Sequence, residues 1–330
     1  MKIAAFSANG GRQIGVVSEE GIWPLPAGSD VLDLLAASAQ ERADAQAQAR
    51  RSGAPLALGD VRLLAPLRPP TVRDFVTFYA HVEGMTGGNI KPEWYEAPFF
   101  YFSNANAVVG TGEDVPVPPG CTDLDFELEV AAIIGKPGRD LSPAEAQAHI
   151  AAFTIFNDWS ARDIGRREGR LGLGLSKCKD GASTVGPWLV TADELEPYRA
   201  GDRYDLELVA SVNGVPLGRD SLANMSWSFG EMVAYAARGA WVAPGDLLAS
   251  GTCRWGCLAE LWGRRGRQDP PPLKPGDEVT LQVQGIGSVT NRVVKGAEPY
   301  PIPAARGAST VEASTVEAST VEASTGEASA

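Results

Sequence analysis

Residues Thr122–Gly135 read TDLDFELEVAAIIG. Leu124, Phe126, Leu128 and Val130 alternate with Asp125, Glu127 and Glu129, and a period of two is that of a β-strand with unlike faces. Side chains two apart on a strand are roughly 7 Å apart, so three adjacent carboxylates repel one another unless something neutralises them. The run continues as VAAII, apolar throughout and suited to a buried position. A solvated edge strand would account for the acidic face. So would a hard cation, because Mg²⁺ and Ca²⁺ take oxygen ligands.

Outward from this segment the chain reads as mostly β with a few well-marked helices. FTIFND (153–158) is an apolar run ending in Asn157-Asp158, with Arg162 and Asp163 close behind. RDFVTFYAH places Asp74 and His81 seven residues apart, on one face if that stretch is helical. Ser142-Pro143-Ala144-Glu145 is a capping box with proline at the first helical position, opening a helix expected to carry His149. Ser228 to Glu231 is a second capping box, placing Phe229, Met232, Val233 and Ala236 on one face. Tyr204 to Val212 runs into Asn213-Gly214, a hairpin signal. Val279, Leu281 and Val283 alternate with polar residues before the turn Gly285-Ile286-Gly287. No long β-α-β alternation appears, which argues against a doubly wound sheet.

Upstream, Ile3 to Phe6 and Ile14 to Val17 read as strands around Asn9-Gly10-Gly11, and Val31 to Arg51 as a helix. The prolines of PLRPP (66–70) mark a boundary. The expected organisation is a small β-rich domain over 1–66 and a catalytic domain over 70–298. A disordered tail over 304–330 follows, where ASTVE repeats offer too little apolar surface to offset chain entropy.

Composition narrows the function. The 330 residues carry 41 acidic and 29 basic side chains, a net charge of -12, which counts against nucleic acid as a partner. Only two histidines, His81 and His149, and four cysteines are present, so few zinc sets can be assembled. Cys253-x3-Cys257 has no second His/Cys pair nearby in sequence and reads as packed thiols. No window approaches the roughly 18 apolar residues of a membrane span. The opening MKIAAFSANGGR is too short in apolar residues for a signal peptide. A cytoplasmic protein with reduced thiols is the expectation.

Six ordered blocks now point to a family: DFVTFYAH (74–81), DFELE (125–129), NDWSARD (157–163), KDGASTVGPW (179–188), PGDLLASGT (244–252) and LAELW (258–262). The chain resembles the fumarylacetoacetate hydrolase family over roughly residues 70–298. That resemblance implies a mixed, β-rich α+β fold, with a β-roll or sandwich catalytic domain behind a small N-terminal domain. It also implies a homodimer. The metal would be one Mg²⁺ or Ca²⁺, with Mn²⁺ as a further option, held by Glu127, Glu129 and Asp158 and by Asp74 as a fourth carboxylate. The reaction implied is hydrolysis of a carbon–carbon bond in a β-diketone or acylpyruvate, a small dioxo acid. His81 matches the catalytic histidine, Glu260 the glutamate that orients it, and Lys179 the lysine that stabilises negative charge. Arg162 matches an arginine that binds a substrate carboxylate or braces the ligands, and Tyr101 a tyrosine lining the pocket.

Gly165 departs from the pattern, standing where fumarylacetoacetases usually have glutamine, and so leaves the substrate open. Two other readings compete. The same site chemistry serves isomerisation or decarboxylation of 2-hydroxy-dienedioates in aromatic catabolism, although His81 and Glu260 together are superfluous for a simple tautomerisation. A non-catalytic scaffold with a structural metal is the third, against which the complete set of base, partner, lysine and carboxylates argues. GRLGLGLSK (169–177) lacks the order of a phosphate loop and reads as a glycine-rich turn near the site.

Overall fold

In the computed structural model, which describes residues 1–8 and 10–303, the acidic segment runs through the middle of a large sheet. Leu128–Ile134 is buried at every residue. It pairs antiparallel with Ile150–Asp158 on one side and Leu247–Ala249 on the other. The solvated-edge alternative is thereby removed. Val130, Ala132 and Ile134 belong to one hydrophobic core, and Ala131 and Ile133 to a second on the opposite face. Two covered faces explain why the run has no polar member.

The strand is interrupted where the carboxylates crowd. Leu124–Asp125 pairs with Ser160–Ala161, and Phe126 and Glu127 lie between the two pieces. Side chains supply the acceptors that a regular ladder would offer there: the Phe126 N–H donates to Asp125 Oδ1 at 2.8 Å and the Glu127 N–H to Asn157 Oδ1 at 2.9 Å.

The large sheet has eleven strands. At one end Lys2–Ala8, Gly11–Ser18 and Gly21–Pro24 form antiparallel pairs, and Lys2–Ala8 continues the sheet by pairing with Ser183–Thr191. At the other end Val72–Phe75 lies parallel to Leu247–Ala249 and pairs with the edge strand Phe100–Ser103. A five-stranded sheet packs nearby, built on the hairpins Glu207–Val212 with Val215–Ser221 and Glu278–Val283 with Gly287–Val294. Asn213 and Gly214 both take positive φ, 53° and 75°, as a tight hairpin turn requires. The fold is the expected mixed, β-rich α+β class, with no doubly wound sheet among the described residues. Among those residues no helix is long and apolar enough to cross a membrane.

Three local expectations need correction. The helix read over Val31 to Arg51 is two helices, Val31–Ala36 and Ala39–Ser52, because Ser38 starts a new one with its own capping box. The helix opened by Ser142 ends at Gln147 and does not carry His149. The next residue, Ile150, already enters the central sheet, and His149 Nδ1 instead meets the Lys136 carbonyl at 3.0 Å. Asp74 and His81 do not share a helix either: Asp74 lies on the strand Val72–Phe75 and His81 on the helix Tyr79–Thr86. The ASTVE repeats fall outside the described residues.

Candidate active site

Strand ends and two helices bring the chemistry together around a cavity of about 250 Å³, with His81, Tyr101, Glu127, Glu129, Arg162 and Lys179 in its wall. Asp74, Glu127 and Asp158 each contribute an oxygen, and these oxygens lie within 4.8 Å of one another. All three residues are buried. Asp74 Oδ1 and Asp158 Oδ1 have no hydrogen-bond partner. Their other oxygens share the Tyr101 hydroxyl, at 2.8 and 2.7 Å. A phenol carries one proton, so it serves one carboxylate at a time. Burial, and then the Asp158 charge, push Asp74 well above the usual carboxylate range.

Buried carboxylate oxygens without donors are costly by themselves and are the donors a hard divalent cation takes. The residues present therefore fit such an ion. Glu129 stands outside the three-oxygen group. Its Oε2 accepts from the Gly251 N–H at 2.9 Å and its Oε1 from Thr252 Oγ1 at 3.3 Å, while burial and Asp74 push its pKa well up.

Two cations face these acids. Lys179 Nζ, buried, reaches Asp158 Oδ2 at 2.7 Å and also pairs with Glu127 and Ser160. Burial opposes its charge, but Asp158 and Glu127 outweigh it and raise the pKa. Arg162 donates to Asp125 Oδ2 from Nε and Nη2 at 2.9 and 2.8 Å and to Glu127 Oε1 at 2.7 Å. Burial acts upward on Glu127, yet Lys179 and Arg162 hold it down at about 2.

A second device adjoins the carboxylates. His81 Nδ1 lies 3.1 Å from Oε2 of the fully buried Glu260. Glu260 also accepts from the Trp255 N–H at 2.7 Å and from Arg264 Nε at 2.9 Å. Trp255 takes φ 61° to present that N–H, an uncommon conformation for a bulky residue. Arg264 stacks on the Trp255 ring at 4.6 Å and donates to the Ala80 carbonyl at 2.6 Å, joining the His81 helix to the Glu260 helix Leu258–Arg265. That helix starts at Cys257, whose Sγ accepts from the Glu260 N–H, while Asp125 accepts from Leu258 and Ala259. A carboxylate at a helix N-terminus answers both its free N–H groups and its dipole.

All nine residues singled out in the sequence thus gather in one region. Asp125, Thr252, Trp255 and Arg264 were not assigned roles. Asp125 shares the acidic motif, but nothing in its spacing says that it points to a helix start instead of the cavity. Cys257, read as a packed thiol, lies with His81 and Glu127 in a second group of ligand-type atoms within 4.8 Å. Among the described residues both such groups include Glu127.

Comparison with known proteins matches residues 71–294 to the family described as fumarylacetoacetate (FAA) hydrolase, C-terminal. The chain belongs to the fumarylacetoacetate hydrolase family. Residues 1–66 match a second family, Rv2993c-like, N-terminal. A human relative, Oxaloacetate tautomerase FAHD2B, mitochondrial, is 32% identical over 198 residues, 60% of this chain and 59% of that one. The match thus spans less than two thirds of that relative's length. Protein Rv2993c of Mycobacterium tuberculosis is 31% identical over 242 residues, 73% of this chain and 82% of its own. The solved fumarylacetoacetate hydrolase of psychrophilic Exiguobacterium antarcticum superposes with a TM-score of 0.72 at 27% identity, covering 90% of this chain and all of that one. The family's members named here include both a hydrolase and a tautomerase.

Proposed function

We propose that the protein is a divalent-cation-dependent hydrolase that cleaves the carbon–carbon bond of an acylpyruvate-type dioxo acid. The observation that carries this reading is the His81–Glu260 pair set beside unpartnered, buried carboxylate oxygens. Asp74, Glu127 and Asp158 would hold the cation, with Glu129 alongside and Mg²⁺, Ca²⁺ or Mn²⁺ as candidates. A cation there would polarise the substrate carbonyl and offset the negative charge that develops on cleavage.

The side chains do the rest. Glu260 accepts a hydrogen bond from Nδ1–H of His81, which leaves the Nε2 lone pair free to take a proton from water. The hydroxide oxygen attacks the acyl carbonyl carbon, and the bond from that carbon to the neighbouring CH₂ breaks. Its electron pair stays with the pyruvate fragment as an enolate, which takes back a proton to become pyruvate, while the acyl part leaves as a carboxylic acid. Lys179 would stabilise the negative charge of the enolate, and Arg162 braces Glu127.

A second reading is tautomerisation, favoured by the named activity of the human relative. In that case His81 moves a proton between carbon and oxygen, a C–H bond breaks or forms as an O–H bond forms or breaks, and no carbon–carbon bond is cleaved. The deciding experiment incubates acetylpyruvate, fumarylacetoacetate, oxaloacetate and dienedioates with Mg²⁺, and again after chelation. Pyruvate release from acetylpyruvate, or fumarate release from fumarylacetoacetate, supports hydrolysis, whereas pyruvate from oxaloacetate reports decarboxylation. Enol–keto interconversion without cleavage supports the tautomerase. His81→Ala should lower turnover by about 10²–10⁴-fold and leave cation binding intact; full activity in that variant sinks the assignment.

We further propose a homodimer that acts in the cytoplasm on a small dioxo acid, without nucleic acid or membrane as partner. The acidic net charge supports the exclusion of nucleic acid. Size-exclusion chromatography with light scattering tests the dimer.

A further inference from the structure

The residues that line the cavity are of two kinds. Glu127, Glu129, His81, Tyr101, Lys179 and Arg162 are charged or polar. Phe75, Val76, Val82, Met85 and Leu175 are apolar. Leu175 comes from the segment LGLGL (171–175), whose Gly172 and Gly174 take φ 69° and 75°, the left-handed region that glycine tolerates. Position 165 adjoins one of these apolar residues, Leu175. A Cβ built on Gly165 would lie 3.3 Å from both Cys178 Cβ and Sγ and 4.0 Å from Leu175 Cδ2. The position that could have offered a polar side chain is instead closed over by Cys178 and Leu175.

Charge points the same way. Asp74, Asp125, Glu127, Glu129 and Asp158 are five buried carboxylates facing two cations, Arg162 and Lys179, an excess of three negative charges when all are ionised. A divalent cation leaves one. Both cations are already paired with these acids, and no other arginine or lysine is in the cavity wall among the described residues. A second carboxylate at the far end of a substrate would meet apolar carbon and a negative interior, without a counter-charge to repay its lost hydration.

We propose that the substrate is a monocarboxylate with an apolar acyl tail, and that Leu175, Met85 and Val82 select that tail. This rests on the hydrolase reading for the reaction, but it concerns only the end of the molecule away from the reacting carbons. Leu175 and Met85 are 40% and 38% exposed, so both can be changed with little cost to the fold.

The test measures kcat/KM with Mg²⁺ for 2,4-dioxo acids with alkyl tails of increasing length, and for a matched series ending in carboxylate. It uses the wild type, Leu175→Ala and Leu175→Arg. The wild type should gain about two- to fourfold per methylene that reaches the apolar residues and prefer each alkyl tail over its carboxylate match by about tenfold or more. Leu175→Ala should flatten the dependence on length, and Leu175→Arg should narrow or reverse the preference. A wild type that favours the dicarboxylates, or is indifferent to length, overturns the proposal. Turnover of no member of either series overturns the hydrolase reading instead. Calorimetric binding of 2-oxo alkanoates against 2-oxo diacids then decides the tail on its own: tighter binding with alkyl length supports it, and tighter diacid binding refutes it.

Discussion

Gly84→Ala probes the claim that His81 works only while its helix lies hard against the Glu260 helix. A methyl group at Gly84 would sit 2.6 Å from Glu260 Cγ, 2.7 Å from Arg264 Nε and 2.8 Å from Glu260 Oε1. Ordinary contact begins at 3.4 Å, so the two helices must part, or Glu260 must swing, by about 0.8 Å. Little slack is available. A Cβ on Gly263, across the crossing, would already lie 2.5 Å from the Gly84 carbonyl oxygen, and Arg264 is tied to Ala80 one residue before His81.

The two consequences differ in size. Overpacking costs about 1–3 kcal/mol, and the better helix propensity of alanine returns up to about 1 kcal/mol. The change in Tm should therefore be no more than a few degrees. The His81–Glu260 separation, now 3.1 Å, would open to about 3.9 Å, beyond hydrogen-bond range. A displacement of this order costs about 10²-fold in rate. The assay pairs kcat/KM on a dioxo acid with calorimetric Tm, with Thr86→Ala on the exposed side of the same helix as control. Wild-type kcat/KM in Gly84→Ala at an unchanged Tm would refute the reasoning.

Removing the clamp in Arg264→Leu should lower kcat more than KM and broaden the pH profile of kcat, because Glu260 loses the Nε–H bond that fixes it; an unchanged profile argues that the arginine only packs. Cys121 is partly exposed, yet burial and Asp163 push its thiol up to about 12, so native alkylation at about pH 8 should run on the order of a thousandfold slower than for a free thiol; rapid single-site labelling would contradict this. Asp74 and Glu129 have folded-state pKa values above their unfolded ones, so in chelated protein their contribution favours folding at low pH and is lost as pH rises above the ordinary carboxylate range. A cation held by Asp74 needs that residue ionised, and the Tm gained on adding Mg²⁺ should grow from about pH 5 to about pH 8; a gain independent of pH would count against carboxylate ligands.

The parts legible in the sequence were those carried by short-range pattern. Period-two alternation located the acidic strand, and the capping boxes at Ser142 and Ser228 located helix starts. Their ends were less accessible, since the helix after Ser142 stops where the central sheet takes the chain at Ile150, a tertiary effect. The break at Phe126–Glu127 was likewise invisible, because it depends on Asn157 supplying an acceptor from a neighbouring strand. In the site, residue types announced themselves by chemistry, but their supports did not. Trp255 acts through a backbone N–H, which any residue offers, and Asp125 through a helix start more than a hundred residues away. Gly165 could be read only as an absence until Cys178 and Leu175 were seen to fill the space.

Cation binding is the step on which the whole account depends. Calorimetric titration of Mg²⁺ into chelator-treated protein should give one site per chain in the wild type, and that site should be lost or weakened by about tenfold or more in Asp158→Asn, with Tm confirming that the variant is folded. Absence of binding in the wild type, or equal affinity in Asp158→Asn, would contradict the assignment of Asp74, Glu127 and Asp158 as the cation's ligands.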